Sequence, residues 1–183
     1  MHNFFDGGLE SEAAAARMKP FGVFTGPLER TTLPSVKSVL AAAVIPIQVM
    51  KNCVGVCMFL PYVLSDFRRI VEAVSGWDVT DLELFRVGER ALAMARLYNA
   101  REGLTPADDA QPPRFAEPLL ADGEERASIP EEEMREAVDL YCELEGWDKK
   151  TGAPTRTRLL ELSLGWAVDA LRPRPRGRPK ASP

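Results

Sequence analysis

The chain has 183 residues, 45% of them apolar and 27% charged, enough to bury a sizeable core and too apolar for a wholly disordered polymer. Lys and Arg number 23 against 27 Asp and Glu, and five of the basic residues (Arg172, Arg174, Arg176, Arg178, Lys180) fall in the last twelve positions, leaving a body of 18 basic against 27 acidic, a net −9. That balance argues against nucleic-acid or anionic-membrane binding by charge alone, and three cysteines, an odd count, argue against a disulfide framework and for a reducing, cytoplasmic compartment.

In chain order, residues 1–31 read as a loosely ordered segment. Leu9 to Met18 can form a short helix, but Gly7, Gly8, Pro20, Gly22, Gly26 and Pro27 interrupt its surroundings. The opening MHNFFDGGLESE has no basic flank before an apolar core and does not match a secretory signal. A long helix is expected from Thr32, which can cap it with Pro34 in the first turn; Val36, Val39, Leu40, Ala43, Val44 and Ile47 then make one apolar face. Pro46 sits inside this run, so the helix is expected to bend or break near Ile45. The apolar stretch Val39 to Leu60 is interrupted by Gln48, Lys51 and Asn52, which argues against a span of the ~20 residues a bilayer needs. It ends in Asn52-Cys53-Val54-Gly55-Val56-Cys57, a turn with two cysteines.

A second helix is expected from Tyr62 to Val74, begun by Pro61 and stopped by Gly76. Thr80 and Glu83 form a Thr-x-x-Glu capping box for the longest helix, whose stripe of Leu84, Val87, Ala91, Ala95 and Tyr98 fits a core face and which Gly103 ends. From there to Ser128 the sequence has no periodicity and reads as a long loop. Ser128 and Glu131 suggest the cap of a helix carrying Met134, Ala137, Val138, Tyr141 and Cys142, stopped by Gly146; Thr155 begins a short helix through Leu162, with another turn or two from Trp166 to Leu171. No strand pattern and no internal repeat stand out, so the fold class is all-α, multihelical with long irregular loops.

Chemistry-bearing patterns are few, and no residue is assigned a catalytic role. The single histidine is His2, which leaves little for a Ser-His-Asp or Cys-His arrangement, and there is no glycine-rich phosphate loop or dinucleotide fingerprint. Asp108-Asp109 and Glu124-Glu125 read as solvated loop charge, and Glu131 to Glu133 suit a helix N-terminus. Cys142 falls on an apolar helix face and reads as core packing; Cys53 and Cys57 flank Gly55, where a sulfur can be aimed at a ligand. Three cysteines with a terminal histidine match no zinc-finger spacing. Asn99, Arg101 and Glu102 can cap a helix and pair with loop charges, Glu89 and Arg90 suit a surface or interdomain ion pair, and Trp77 and Trp147 are expected to pack with their indole N–H groups partnered.

The segment Asn52-Cys53-Val54-Gly55-Val56-Cys57-Met58-Phe59 resembles the Asp-x-x-Gly-Leu-Cys-x-Phe motif near the C-terminus of tungsten-containing aldehyde:ferredoxin oxidoreductases. The resemblance continues in order through Gly76-Trp77-Asp78, Val87-Gly88-Glu89-Arg90, Tyr98-Asn99-Ala100-Arg101-Glu102-Gly103-Leu104-Thr105, Asp108-Asp109, Pro113-Arg114-Phe115, Gly146-Trp147-Asp148 and Gly152-Ala153-Pro154-Thr155, covering roughly Leu33 to Leu164. It implies the family's multihelical C-terminal domain over 32–171, between the segment 1–31 and a basic tail at 172–183.

Enzymes of that family oxidise aldehydes with water to carboxylates and pass two electrons to ferredoxin. They use tungsten (molybdenum in some relatives) held by two pterins, with a four-iron four-sulfur cluster nearby. The resemblance implies that Cys57 is a cluster ligand, the only metal ligand it assigns, and that Asn52, Gly55 and Val56 line a pterin, with glycine allowing close backbone approach. Two positions differ from the motif: Asn52 replaces its aspartate, losing the charge and adding a donor, and Val56 replaces its leucine. A cluster held by protein thiolates normally takes four of them, and the family's CxxCxxxC segment and tungstopterin domain are not in these residues. The resemblance therefore implies a partner subunit carrying both, ferredoxin as acceptor, and a chain inactive alone, either part of a split enzyme or a truncated remnant.

Arg176-Gly177-Arg178-Pro179 in the tail is similar to the core of an AT-hook: arginines about a glycine suit a narrow A·T minor groove. The alternative reading is thus a repurposed helical binding domain whose tail contacts DNA or another acidic partner.

Overall fold

The computed structural model describes residues 11–19, 22–29, 32–57, 59, 60, 62–121, 124–126 and 128–171. His2, Met58, Pro61 and the tail with its AT-hook-like run lie outside the described residues. The architecture is helical, as the sequence indicates. Helix α1 (Glu12–Met18) precedes α2 (Ser35–Val54), α3 (Leu64–Ser75), α4 (Asp81–Arg101), α5 (Glu131–Leu144) and α6 (Arg156–Glu161), with a final 3-10 segment over Gly165–Leu171.

Helices α2 and α4 form the most extensive contact, with α5 against α2 and α3 against α4. Helix α2 has the length and apolar composition of a membrane span. One of its faces packs into the bundle, burying Leu40, Val44, Ile47 and Met50 together with the polar Ser38 and Lys51. Ser38 shows how a hydroxyl is accommodated there: its Oγ donates to the Ala137 carbonyl on α5 at 2.9 Å. Three apolar clusters run along the α2–α4 axis. Met18 and Val23 pack on Leu40 and Val44; Ile47, Met50, Phe67 and Leu84 form the middle; Ala93, Leu97, Leu159, Leu162, Leu164 and Ala167 close the far end.

Several expected helix boundaries hold for the expected reason. Thr80 Oγ1 accepts from the Glu83 amide at 3.1 Å while the Glu83 carboxylate accepts from the Thr80 amide at 2.7 Å, a reciprocal cap at the start of α4. Thr155 Oγ1 accepts from the Arg158 amide at 3.2 Å and starts α6. Gly76, at φ 73°, ends α3 in the left-handed region.

Other expectations are corrected. Helix α2 begins at Ser35 with Pro34 as a cap that makes no side-chain hydrogen bond, and Thr32 Oγ1 turns back to the Glu29 carbonyl. The helix runs through Pro46 without a break, and the backbone of this buried proline faces Gly88 of α4. A Cβ at Gly88 would stand 1.9 Å from the Pro46 carbonyl oxygen, so this glycine is what lets the two helices meet. The buried face of α4 is Leu84, Gly88, Glu89, Ala93 and Leu97 rather than the stripe ending at Tyr98, which is 58% exposed. Trp77 is exposed, not packed. Helix α5 is capped by Pro130 without a side-chain bond, and Ser128 plays no part in it.

The expected loop after Gly103 contains 3-10 turns over Pro106–Asp109 and Pro113–Ala116 and a minimal antiparallel hairpin, β1 (Leu119–Ala121) with β2 (Glu124–Arg126), in the register Leu119↔Arg126. With three residues a strand it leaves the all-α architecture intact.

Candidate functional site

The last turn of α2 builds the site. Its macrodipole and unpaired carbonyls need donors, and the chain supplies them by reversing at Gly55, which adopts φ 79°, ψ 26°. The Gly55 amide then donates to the Asn52 carbonyl at 3.1 Å and the Val56 amide to the Lys51 carbonyl at 3.2 Å. Val56 turns inward against the middle cluster, while Asn52, Gly55 and Cys57 remain exposed. A second turn follows, closed by the Leu60 amide on the Cys57 carbonyl at 3.2 Å. Asn52, Gly55, Val56 and Cys57 thus occupy one double turn at the end of α2.

Lys51 lies directly beneath this turn and is 2% exposed. Its Nζ is 3.4 Å from the Leu60 carbonyl oxygen and 5.4 Å from the centroid of the Phe67 ring. Burial pushes its ammonium pKa below the usual lysine value. Phe67 is itself fully buried and meets Tyr62 edge-on at 5.9 Å. In the sequence Lys51 reads only as an interruption of an apolar run, because a buried lysine has no periodic signature.

The other motif residues form two structural braces. Glu89, expected in a surface or interdomain pair, is buried: Arg158 of α6 donates to it at 2.7 Å and Arg86 at 2.9 Å. The same Arg158 nitrogen lies 3.5 Å from Glu145, whose carboxyl pKa is pushed up to about 7 by burial and the nearby Glu89, against the attraction of Arg158. The second brace is Arg96. It donates to the Gly152 carbonyl at 2.7 Å and to Asp109 at 2.8 Å, and its guanidinium lies 4.9 Å from the Trp147 ring centroid. Asp109 is therefore paired, whereas Asp108 caps its turn at the Thr105 amide. Trp147 is buried as expected, but its indole N–H finds no acceptor among the described residues. Arg101 pairs with Glu102 and covers the exposed Tyr98 ring, which suits the helix-end reading.

The cysteines divide cleanly. Cys142 is buried, and burial raises its thiol pKa, as befits core packing. Cys53 and Cys57 are exposed. For a thiolate-bound cluster beside a pterin, the turn offers an exposed Cys57, with the exposed Cys53 nearby in the last turn of α2, an exposed amide at Asn52, and open space at Gly55, where an added Cβ would meet nothing within 4 Å. Those features fit one corner of such a cluster. Among the described residues no three His, Cys, Asp or Glu side chains gather to hold a metal.

The family model described as aldehyde ferredoxin oxidoreductase, domains 2 and 3, matches residues 10–164. The tungsten-containing aldehyde ferredoxin oxidoreductase of Pyrococcus furiosus is 33% identical over 113 residues, which is 60% of this chain and 18% of that protein. The protein of the same description from Thermococcus kodakarensis is 30% identical over 116 residues, 62% of this chain and 19% of its own. The chain thus spans about a fifth of the length of these curated relatives. No solved structure matches it. With a helical architecture, an ordered series of motifs and a family match over most of its length, the chain belongs to the aldehyde ferredoxin oxidoreductase family, in the part described as domains 2 and 3.

Proposed function

We propose that this chain is the C-terminal helical part of an aldehyde:ferredoxin oxidoreductase-like enzyme, working in a cytoplasmic, reducing setting. In this reading Cys57 is one thiolate of a four-iron four-sulfur cluster, and Asn52, Gly55 and Val56 lie along a pterin of a tungsten (or molybdenum) bis-pterin cofactor. The other three cluster thiolates and the tungstopterin site come from polypeptide outside these residues, on a partner subunit. The assembled enzyme oxidises an aldehyde to a carboxylate and hands the electrons through the cluster to ferredoxin; this chain by itself does not turn over.

The observation that carries the reading is the exposed Cys57 in a turn opened by a left-handed Gly55 at the end of α2, within a chain of this family. An exposed thiol can join a cluster completed from outside; a buried one such as Cys142 cannot. The single donor also explains why the partner is needed for metal binding.

The test is elemental analysis for iron, tungsten and molybdenum on the chain purified anaerobically from its native cell, beside Cys57→Ala. Iron with tungsten or molybdenum is expected in the parent preparation, with iron lost from the variant and a co-purifying polypeptide carrying CxxCxxxC. Preparations without metal in both cases overturn the cofactor assignment for this chain.

A further inference from the structure

We propose that Lys51 is the positioning residue of the Cys57 turn. One residue holds both flanks of that cysteine: its carbonyl accepts from the Val56 amide at 3.2 Å, just before Cys57, and its ammonium reaches the Leu60 carbonyl at 3.4 Å, three residues after it. The Leu60 amide meanwhile closes on the Cys57 carbonyl, so Leu60 is bound from both of its ends. The side chain that does this is fixed in turn. It is 2% exposed and lies 5.4 Å from the ring centroid of Phe67, which is locked among Ile47, Met50 and Leu84.

Burying an ammonium costs free energy that an apolar side chain of the same length would not. Packing alone would therefore be served as well by methionine. What only the ammonium supplies is a charged donor aimed at a loop carbonyl, and bonds from charged groups are stronger than those between neutral ones. The consequence is a Cys57 whose main chain is held at two points on the rigid end of α2, while its sulfur stays outside. The functional meaning of this device, a thiolate presented to a cluster with little loss of loop entropy on binding, rests on the cofactor assignment above. The device itself does not.

Lys51→Met removes the donor and keeps the stem; Lys51→Arg keeps both donor and charge; Lys51→Gln keeps a donor without the charge. Each is studied on the purified full chain without metal, by amide hydrogen exchange and by the rate of alkylation of Cys57 with iodoacetamide, with the exposed Cys53 in the same molecule as reference. In Lys51→Met, exchange of the Leu60 amide is expected to rise about tenfold. The Cys57-to-Cys53 rate ratio should also shift, while amides at Ala93 and Leu97 stay protected. Lys51→Arg should stay near the parent and Lys51→Gln between the two. Unchanged exchange and ratio in Lys51→Met with the fold retained, or equal changes in Lys51→Met and Lys51→Arg, would overturn the proposal. Should Lys51→Met not fold, Lys51→Gln against Lys51→Arg makes the same comparison. Iron absent from the parent chain, or retained in Cys57→Ala, would sink the cluster reading and leave these outcomes untouched, so the two failures can be told apart.

Discussion

Two buried carboxylates, Glu89 and Glu145, converge on one guanidinium nitrogen of Arg158, with Arg86 and Glu161 completing the cluster at its edge. Burial, together with the nearby charge of Glu89, outweighs the attraction of Arg158 and pushes the Glu145 carboxyl up to about 7. The folded chain then binds a proton that the unfolded chain releases near its ordinary value of 4.5. Stability from this group is accordingly complete below about pH 4.5 and is lost as pH rises to about 7. Glu145→Gln is expected to flatten that slope and to raise stability at pH 8 by at most about 3 kcal/mol, read as the urea midpoint at pH 5 and pH 8. A variant with the parent's pH slope would show that Glu145 is ionised throughout. Removing Arg158 is the opposite experiment. Arg158→Met strands both carboxylates and should cost about 3–5 kcal/mol in thermal or urea unfolding. None of this was legible beforehand, because Glu89 reads as a surface charge and its partner stands 69 positions away.

At the level of elements, the crossing of α2 and α4 depends on backbone meeting backbone. Gly88→Ala would put a methyl carbon into the Pro46 carbonyl, and neither element can yield without disturbing the clusters on either side of the contact. The expected outcome is a loss of about 3 kcal/mol or more, at the upper end for overpacking, measured by urea unfolding. An unchanged midpoint would mean that the helices are not this close. The helix starts that sequence revealed, at Thr80 and Thr155, are those where a side-chain oxygen finds a backbone amide locally. The missed starts at Thr32 and Ser128 precede Pro34 and Pro130, which took the cap positions without side-chain bonds. Likewise the core face of α4 was displaced because a glycine and a glutamate occupy it, and neither carries an apolar signal. The proline inside α2 reads as a bend or a break because it lacks the N–H of an interior helical bond, yet the helix continues across it.

At the level of the whole molecule, helicity and the order of the main helices followed from periodicity and glycine stops, whereas the site did not. Asn52, Gly55, Val56 and Cys57 became candidates through their likeness to a family motif, and structure added that three of the four face outward while Val56 anchors the turn. The braces that unite the molecule span long stretches of sequence: Arg158 joins α6 to α4, Arg96 joins α4 to the Gly152 turn, and the Leu33 amide donates to Glu133 of α5 at 3.0 Å. All three cross the stretch from Ala110 to Pro118, in which every residue is exposed.

That exposed stretch makes the covalent chain dispensable at one point. Trypsin acting briefly on the native protein should cut after Arg114 before it reaches the buried arginines, since an exposed segment can enter a protease without unfolding the domain. The two pieces would still be held by α2 against α5 and by α4 against α6 and the Gly152 turn. They should elute together on gel filtration and part only in denaturant, and fragments made separately at that junction should reassemble on mixing.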